Sequence, residues 1–406
     1  MRKWQVNNPS LLFRNARLVL PGKVVENAAL LIKDGRIARI FVRDEDANAH
    51  AEAVFDLSSL TLFPGFIDIH IHGSVGVDTM EAGADDLHRV ASFLAQNGVT
   101  AWLPTVVPAP NEDYVRAVDA IEKLMNEQQE RESAARALGV HYEGPFLNSA
   151  QCGALRPAYF QTFRDTEGLD SLAVIKDGNA THMITVAPEV ERGIELVREL
   201  ARRGWIISIG HTRAGVEVLD HAREAGARHM THFMNAMSPL HHRSPGPIGW
   251  GLLNDNISCD VIADGVHVDP LILKLILRAK TPARVSLISD AVAPTGLGDG
   301  EYNIWGETIN VAGGRTRNAR GSIAGSVITM HDAVRLMLSL DVPLEDVARM
   351  AASNPARLLG IDQDCGSIGE GKRADLVALD KEGNVRLTLI NGRIAFDGLS
   401  YSSVEL

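Results

Sequence analysis

The stretch PGFIDIHIHG at residues 64–73 carries Asp68, His70 and His72 at alternate positions in a run of Phe and Ile, and it ends on Gly73. Side chains two apart on a strand share a face, so the two imidazoles can reach one point together. Other short apolar or glycine-bounded segments carry groups of the same kind: Glu143 in HYEGPF, His211 in SIGHT, His232 in THFMNAM, His267 in DGVHVD and Asp290 in SDA. Imidazole nitrogens and carboxylate oxygens suit Zn2+ or a similar divalent first-row ion. A lone strand histidine is ordinarily structural. A set of them at the ends of several strands predicts a metal centre. Asp68 shares the face of the histidines one layer deeper and reads as structural.

Residues so far apart in the chain need a scaffold that brings them together. Eight apolar runs read as buried strands: FIDIHIHG, VTAWLPTVV, LGVHYEGPF, THMITVAPE, WIISIGHT, HMTHFMNAM, ISCDVIADGVHV and RVSLISDAV. Helical patterns such as DDLHRVASFLAQNG, EDYVRAVDAIEKLMNEQQERESAARA and VERGIELVRELARRG separate most of them. This alternation predicts an α/β fold, a (β/α)8 TIM-like barrel, whose strand C-termini line an active-site mouth. SVITMHDAVRLMLSL and PLEDVARMAASNPARLLG are helix-like stretches that close it. Both chain ends are strand-rich, with hairpin signals in KDG, KEGN and NGR. They predict a small β-sandwich domain assembled from residues 1–63 and 360–406, around a barrel spanning 64–359.

Among the 406 residues, 45% are hydrophobic and 22% charged, the composition of a globular enzyme, and the net charge of −11 argues against a nucleic-acid partner. Cys152, Cys259 and Cys365 form no CxxC pair, so reduced thiols and a cytoplasmic location are expected. The N-terminal residues hold no signal-peptide core, and no apolar run reaches the ~18 residues of a membrane span. No membrane partner is expected.

PGFIDIHIHG resembles the first-strand signature of the amidohydrolase superfamily. HYEGPFLN, GHT, THFMNAM, ADGVHVD, SDA and GSIAGS resemble, in order, the motifs of N-acetylglucosamine-6-phosphate deacetylases, and NPARLLG and GSIGEGKRADLVALD extend the likeness to the C-terminal region. The resemblance implies a homodimeric hydrolase with one or two divalent ions per subunit, Zn2+ foremost. Its substrate would be a small amino-sugar phosphate: metal-activated water would cleave the acetamide of N-acetyl-D-glucosamine 6-phosphate, giving D-glucosamine 6-phosphate and acetate. By that likeness Glu143, His211 and His232 are a metal triad, and His70, His72 and Asp290 are ligands of a second ion. Asp290 is also the general base and acid. No lysine stands where a carboxylated metal bridge would need it: Lys123, Lys176, Lys274 and Lys280 fall in helical or loop contexts, and Glu143 supplies the carboxylate instead.

The same resemblance assigns Asn235 and Ala236 to a phosphate cradle and Arg243 to a phosphate contact. His267, in the stretch from Asp264, is a sugar-binding histidine; Ala154 and the loop Ile323, Ala324 and Gly325 also belong to the substrate site. One position departs from the family pattern. In CGALRP, Leu155 stands where relatives carry a histidine that contacts the acetamide. Either Arg156 or another residue replaces that contact, or the substrate differs in its acyl group, in its sugar (the galactosamine epimer) or in its phosphate, down to a non-phosphorylated N-acyl compound.

Overall fold

The computed structural model describes residues 9–42, 49–128, 133–170 and 172–399, and the backbone of 404–405. The eight apolar runs form eight parallel strands: Phe66–Ile71, Val99–Val106, Gly139–Glu143, Thr181–Val186, Ile206–Ile209, His229–Met230, Ser258–Ile262 and Val285–Ile288. They follow one another around a barrel in chain order. Val, Ile and Leu dominate them because helices cover a parallel sheet outside and its own side chains fill it inside, so neither face meets water.

Closure between the eighth strand and the first is short and polar. The Asp290 N–H donates to the His70 carbonyl (2.9 Å), and the His72 and Gly73 N–H groups donate to the Ala291 carbonyl (2.8 and 3.1 Å). One layer below, the Asp68 carboxylate accepts the Ser289 N–H (3.3 Å) and hydroxyl (2.5 Å). Asp68 thus staples the first strand to the last, the structural part expected of it. Gly73 has φ +154°, and a Cβ there would stand 2.0 Å from the Val77 carbonyl oxygen. Only glycine lets the chain turn back at this point.

Amphipathic helices pack against the barrel. Ala84–Gln96 turns Leu87, Val90, Ala91 and Leu94 inward; Asn111–Gln128 buries Ala117, Val118, Ile121 and Leu124. Residues 129–132 of that second helical pattern lie outside the described residues. Lys280, at the end of helix Pro270–Lys280, is buried and donates to the carbonyls of Gly251, Asn254 and Ile257 (2.8, 2.8 and 2.6 Å). It satisfies carbonyls left open where helix Gly246–Leu253 ends.

Strands from both chain ends share one sheet, in which Thr61–Pro64 lies between Leu11–Leu20 and Leu376–Leu379. KDG and NGR are hairpin turns: Asp34-Gly35 and Asn391-Gly392 take φ of +49°, +75° and +51°, +73°, which matches the twist of antiparallel strands. Phe13, Leu30, Leu62, Leu376 and Leu389 fill the core of this unit. Residues 1–8, 43–48, 400–403 and 406 of the segments assigned to the small domain lie outside the described residues. Arg136, beside the second barrel strand, and Arg373 both reach Asp375 (3.0 and 3.2 Å), and the Asp375 carbonyl accepts the Gly65 N–H (2.9 Å).

A three-stranded antiparallel flap, Gly300–Ile304, Glu307–Ala312 and Arg315–Asn318, follows the eighth barrel strand. It lies outside the elements expected from the sequence.

Candidate metal centre and active site

Six donor side chains converge at the C-terminal ends of the barrel strands. Glu143 ends the third strand, and its Oε1 lies 2.9 Å from His211 Nε2 and 3.0 Å from His232 Nε2; the two nitrogens are 3.1 Å apart. Donors about 2.1 Å from one ion stand roughly 3.0–3.4 Å apart in geometries between right-angled and tetrahedral. On the other side of Glu143, His70 Nε2 and His72 Nε2 are 3.1 Å apart, and Asp290 Oδ1 is 3.4 and 3.2 Å from them. Glu143 Oε2 approaches His72 Nε2 at 3.4 Å, so this carboxylate stands between two groups that could each hold a metal ion. The donor set, neutral nitrogens with carboxylate oxygens, fits a divalent first-row cation.

Deeper groups orient these ligands. His211 Nδ1–H donates to the Gln151 carbonyl (2.8 Å), which leaves Nε2 with its lone pair toward Glu143 and His232. Asp260 accepts the His232 backbone N–H with one oxygen and meets His229 Nε2 (2.9 Å) with the other. His141 lies beneath His70, pairing with the Ile69 carbonyl (2.9 Å) and Thr185 Oγ1 (2.8 Å). His141 and His229 are not among the site residues expected from the sequence. The signal for His141 was its alternate spacing with Glu143 in HYE.

Burial would raise the Glu143 carboxyl, but hydrogen bonds with His211 and His232 hold it well below the usual carboxylate range. Burial opposes a charge on His232, yet Glu143 outweighs it and raises that imidazole to about 9. Burial and neighbouring His141 press His70 well below its ordinary value. Ligation needs neutral imidazole, so a cation held by Glu143 would replace the proton on His232. The backbone here is held in the left-handed region at non-glycine residues: φ is +47° at His211, +33° at His232, +50° at Ala236 and +50° at Asp290. Such strain persists only where surrounding bonds fix it, and at Asp290 these are the bonds to His70 and Ser326.

A cavity of about 330 Å3 opens above the cluster. Of the residues expected at the substrate site, Ala154, Asn235, Ala236, His267, Ile323 and Gly325 line it. Asp264 sits behind, its carboxylate accepting from His267 Nδ1 (2.7 Å) and from the Val266 and His267 N–H groups (2.8 Å each). Ala324 is buried, its N–H given to Thr316 Oγ1 (3.0 Å). Arg243 lies outside the lining, exposed, with its guanidinium 3.0 Å from His242 Nε2. Arg156 does not line the cavity either; it stacks on Tyr159 at 4.6 Å. Leu155 does, together with Trp305 from the tip of the flap, a residue absent from the sequence-based set.

A closed α/β barrel with buried histidine and carboxylate donors at its strand ends is the architecture of a metal-dependent hydrolase. The amidohydrolase family profile matches residues 61–395. N-acetylglucosamine-6-phosphate deacetylase of Bacillus subtilis is 34% identical over 95% of this chain and 97% of its own length. N-acetylgalactosamine-6-phosphate deacetylase of Escherichia coli O157:H7 is also 34% identical, over 95% of this chain and 99% of that one. The solved N-acetyl-D-glucosamine-6-phosphate deacetylase of Mycobacterium smegmatis, in complex with N-acetyl-D-glucosamine-6-phosphate, superposes with a TM-score of 0.85 at 30% identity, covering 95% of this chain and 99% of that chain. The chain belongs to the amidohydrolase family, in its N-acetylglucosamine-6-phosphate deacetylase branch. Among the described residues no helix is long and apolar enough to cross a membrane.

Proposed function

We propose that the chain hydrolyses the acetamide of N-acetyl-D-glucosamine 6-phosphate to D-glucosamine 6-phosphate and acetate. The observation that carries the reading is Glu143 Oε1 within 3.0 Å of His211 and His232, with Asp290 Oδ1 3.2 Å from His72 below the same cavity. Glu143, His211 and His232 would hold one divalent cation, Zn2+ foremost, and His70, His72 and Asp290 would complete a place for a second. Bound there, a cation would supply Lewis acidity for a water and for the acyl oxygen near neutral pH. Asp290 takes the proton from the attacking water and returns it to the amine nitrogen as the C–N bond breaks. Its backbone bonds to His70 and Ser326 aim the carboxylate at the donor cluster. His267, oriented by Asp264, and Asn235 face the sugar.

Arg243 stands outside the cavity lining of its own chain; the deacetylase resemblance assigns phosphate contacts partly to the neighbouring subunit of a homodimer, and that is the place proposed for it. Its planar donor fork matches a phosphate. Three free thiols, Cys152, Cys259 and Cys365, are in keeping with a cytoplasmic location. The deciding experiment measures acetate release by Zn2+-loaded protein from N-acetylglucosamine 6-phosphate, its galactosamine epimer and both unphosphorylated sugars. Turnover highest on the first substrate is the expected result; inertness on all four overturns the reading. Preference for the epimer would give the sugar identity to the second reading. Light scattering on the eluting protein tests the dimer.

A further inference from the structure

Trp305 occupies a position its own backbone disfavours. It shares the tip of the flap hairpin with Gly306, at φ +52°, a region that bulky side chains rarely adopt and that hairpin turns usually give to Asn, Asp or Gly. A large ring kept there is a sign that the ring is needed where the turn puts it. That place is the cavity. The indole meets His72 edge-on, with ring centroids 5.3 Å apart at 80°, and lines the cavity beside Leu155, Ala154 and Ile323. The wall is tied together: Ala154 packs on the flap core of Ile304 and Ile309, and Arg320 donates to the Ala154 carbonyl (2.9 Å).

Leu155, Ala154 and Ile323 offer only hydrocarbon side chains to whatever lies against them. A pyranose carries hydroxyls, each of which costs free energy if buried without a partner. Asn235 and His267, elsewhere in the lining, can supply such partners. The alkyl part of an N-acyl group needs none. Under the amide hydrolysis proposed above, the acyl carbon reacts between the Glu143, His211 and His232 donors and Asp290, whose Oδ1 lies 3.2 Å from His72 Nε2, and its alkyl substituent is one bond away. The ring that packs on His72 is therefore its neighbour. We propose that Trp305, backed by Leu155, forms the acyl subsite and limits the length of N-acyl group the enzyme accepts. Acetyl fits, and each further methylene meets the indole.

The test compares kcat/KM of wild type, Trp305→Gly and Trp305→Phe on the N-acetyl, N-propionyl and N-butyryl derivatives of glucosamine 6-phosphate. Glycine suits the positive φ, so the turn survives loss of the ring. The propionyl-to-acetyl ratio should rise at least tenfold in Trp305→Gly, the lower end of what one methylene is worth in an apolar pocket, with Trp305→Phe between the two. A merely structural role would depress all three substrates together and leave the ratio unchanged. An unchanged ratio in active protein overturns the subsite alone. A wild type inert on all three substrates overturns the amide hydrolysis as well, so the two failures are distinguishable.

Discussion

Replacing Asp290 by asparagine separates proton transfer from metal binding. The amide has the shape of the carboxylate, and the backbone bonds that hold the residue, from its N–H to His70 and from the Ser326 N–H to its carbonyl (2.9 and 2.8 Å), are untouched. Glu143, His211 and His232, mutually 2.9–3.1 Å apart, keep their donors. The variant loses an oxygen able to take a proton from water and give it to the amine. A positioned base and acid contributes about 10²–10⁴ in rate, equivalent to about 3–5 kcal/mol of barrier. The expected outcome is a fall in kcat of that size, with at least one ion per chain retained by elemental analysis. Acetate release, metal content and melting temperature should be measured on one preparation. A kcat within threefold of wild type, with metal bound, would remove Asp290 from proton transfer. Loss of all metal would show instead that Asp290 belongs to the indispensable ligand set.

The complementary change, Glu143→Gln, removes the carboxylate common to both donor groups; metal content should drop below one ion per chain and activity should vanish, and a fully loaded variant would refute its bridging place. Arg243→Ala is expected to raise KM for phosphorylated substrates at least tenfold while leaving unphosphorylated sugars unaffected, and equal loss on both would make Arg243 structural. Lys280→Met leaves the Gly251, Asn254 and Ile257 carbonyls without their charged donor and should cost about 2–4 kcal/mol of stability, read by denaturant unfolding. Burial raises the Asp375 carboxyl, but Arg136 and Arg373 outweigh it and hold its folded pKa below the usual 3.8. Its stabilising share is therefore present above about pH 3.8 and is lost as pH falls further. Asp375→Asn should be less stable than wild type at pH 7 by about 3 kcal/mol, read by denaturant unfolding, and the gap should close as pH falls below 3.8. A gap that stays constant with pH would refute the pairing.

Much of the barrel was legible because its signals are local. Strands buried on both faces must be apolar throughout, so all eight runs stood out, and Asp34-Gly35 and Asn391-Gly392 announced their turns through the positive φ they need. The metal-binding residue types were legible for a related reason. His70 and His72 share a strand face by the period of two alone, and Glu143, His211, His232 and Asp290 each interrupt or end an apolar run where a charged or polar group has no other use. Asp68 could be placed one layer down from the same alternation, although its partner Ser289 could not be named.

What the sequence could not reveal lies in contacts between distant segments. Nothing local shows that Trp305 reaches His72, because a flap tip's destination depends on how three strands pack over the barrel mouth. Arg243 was placed at the phosphate by resemblance, but the turn that carries it leads its guanidinium to His242, outside the cavity of its own chain. His141 and His229 are in the sequence as plainly as the other histidines. Only the barrel's layering separates them from the donor cluster, turning one toward Thr185 and the other toward Asp260. Composition, periodicity and turn chemistry fix which residues are available and which way each strand faces. Closure of the barrel, where Asp290 is bonded to His70 and Asp68 to Ser289, decides which of them meet, because only there are ligands from the first and last strands brought within one ion's reach.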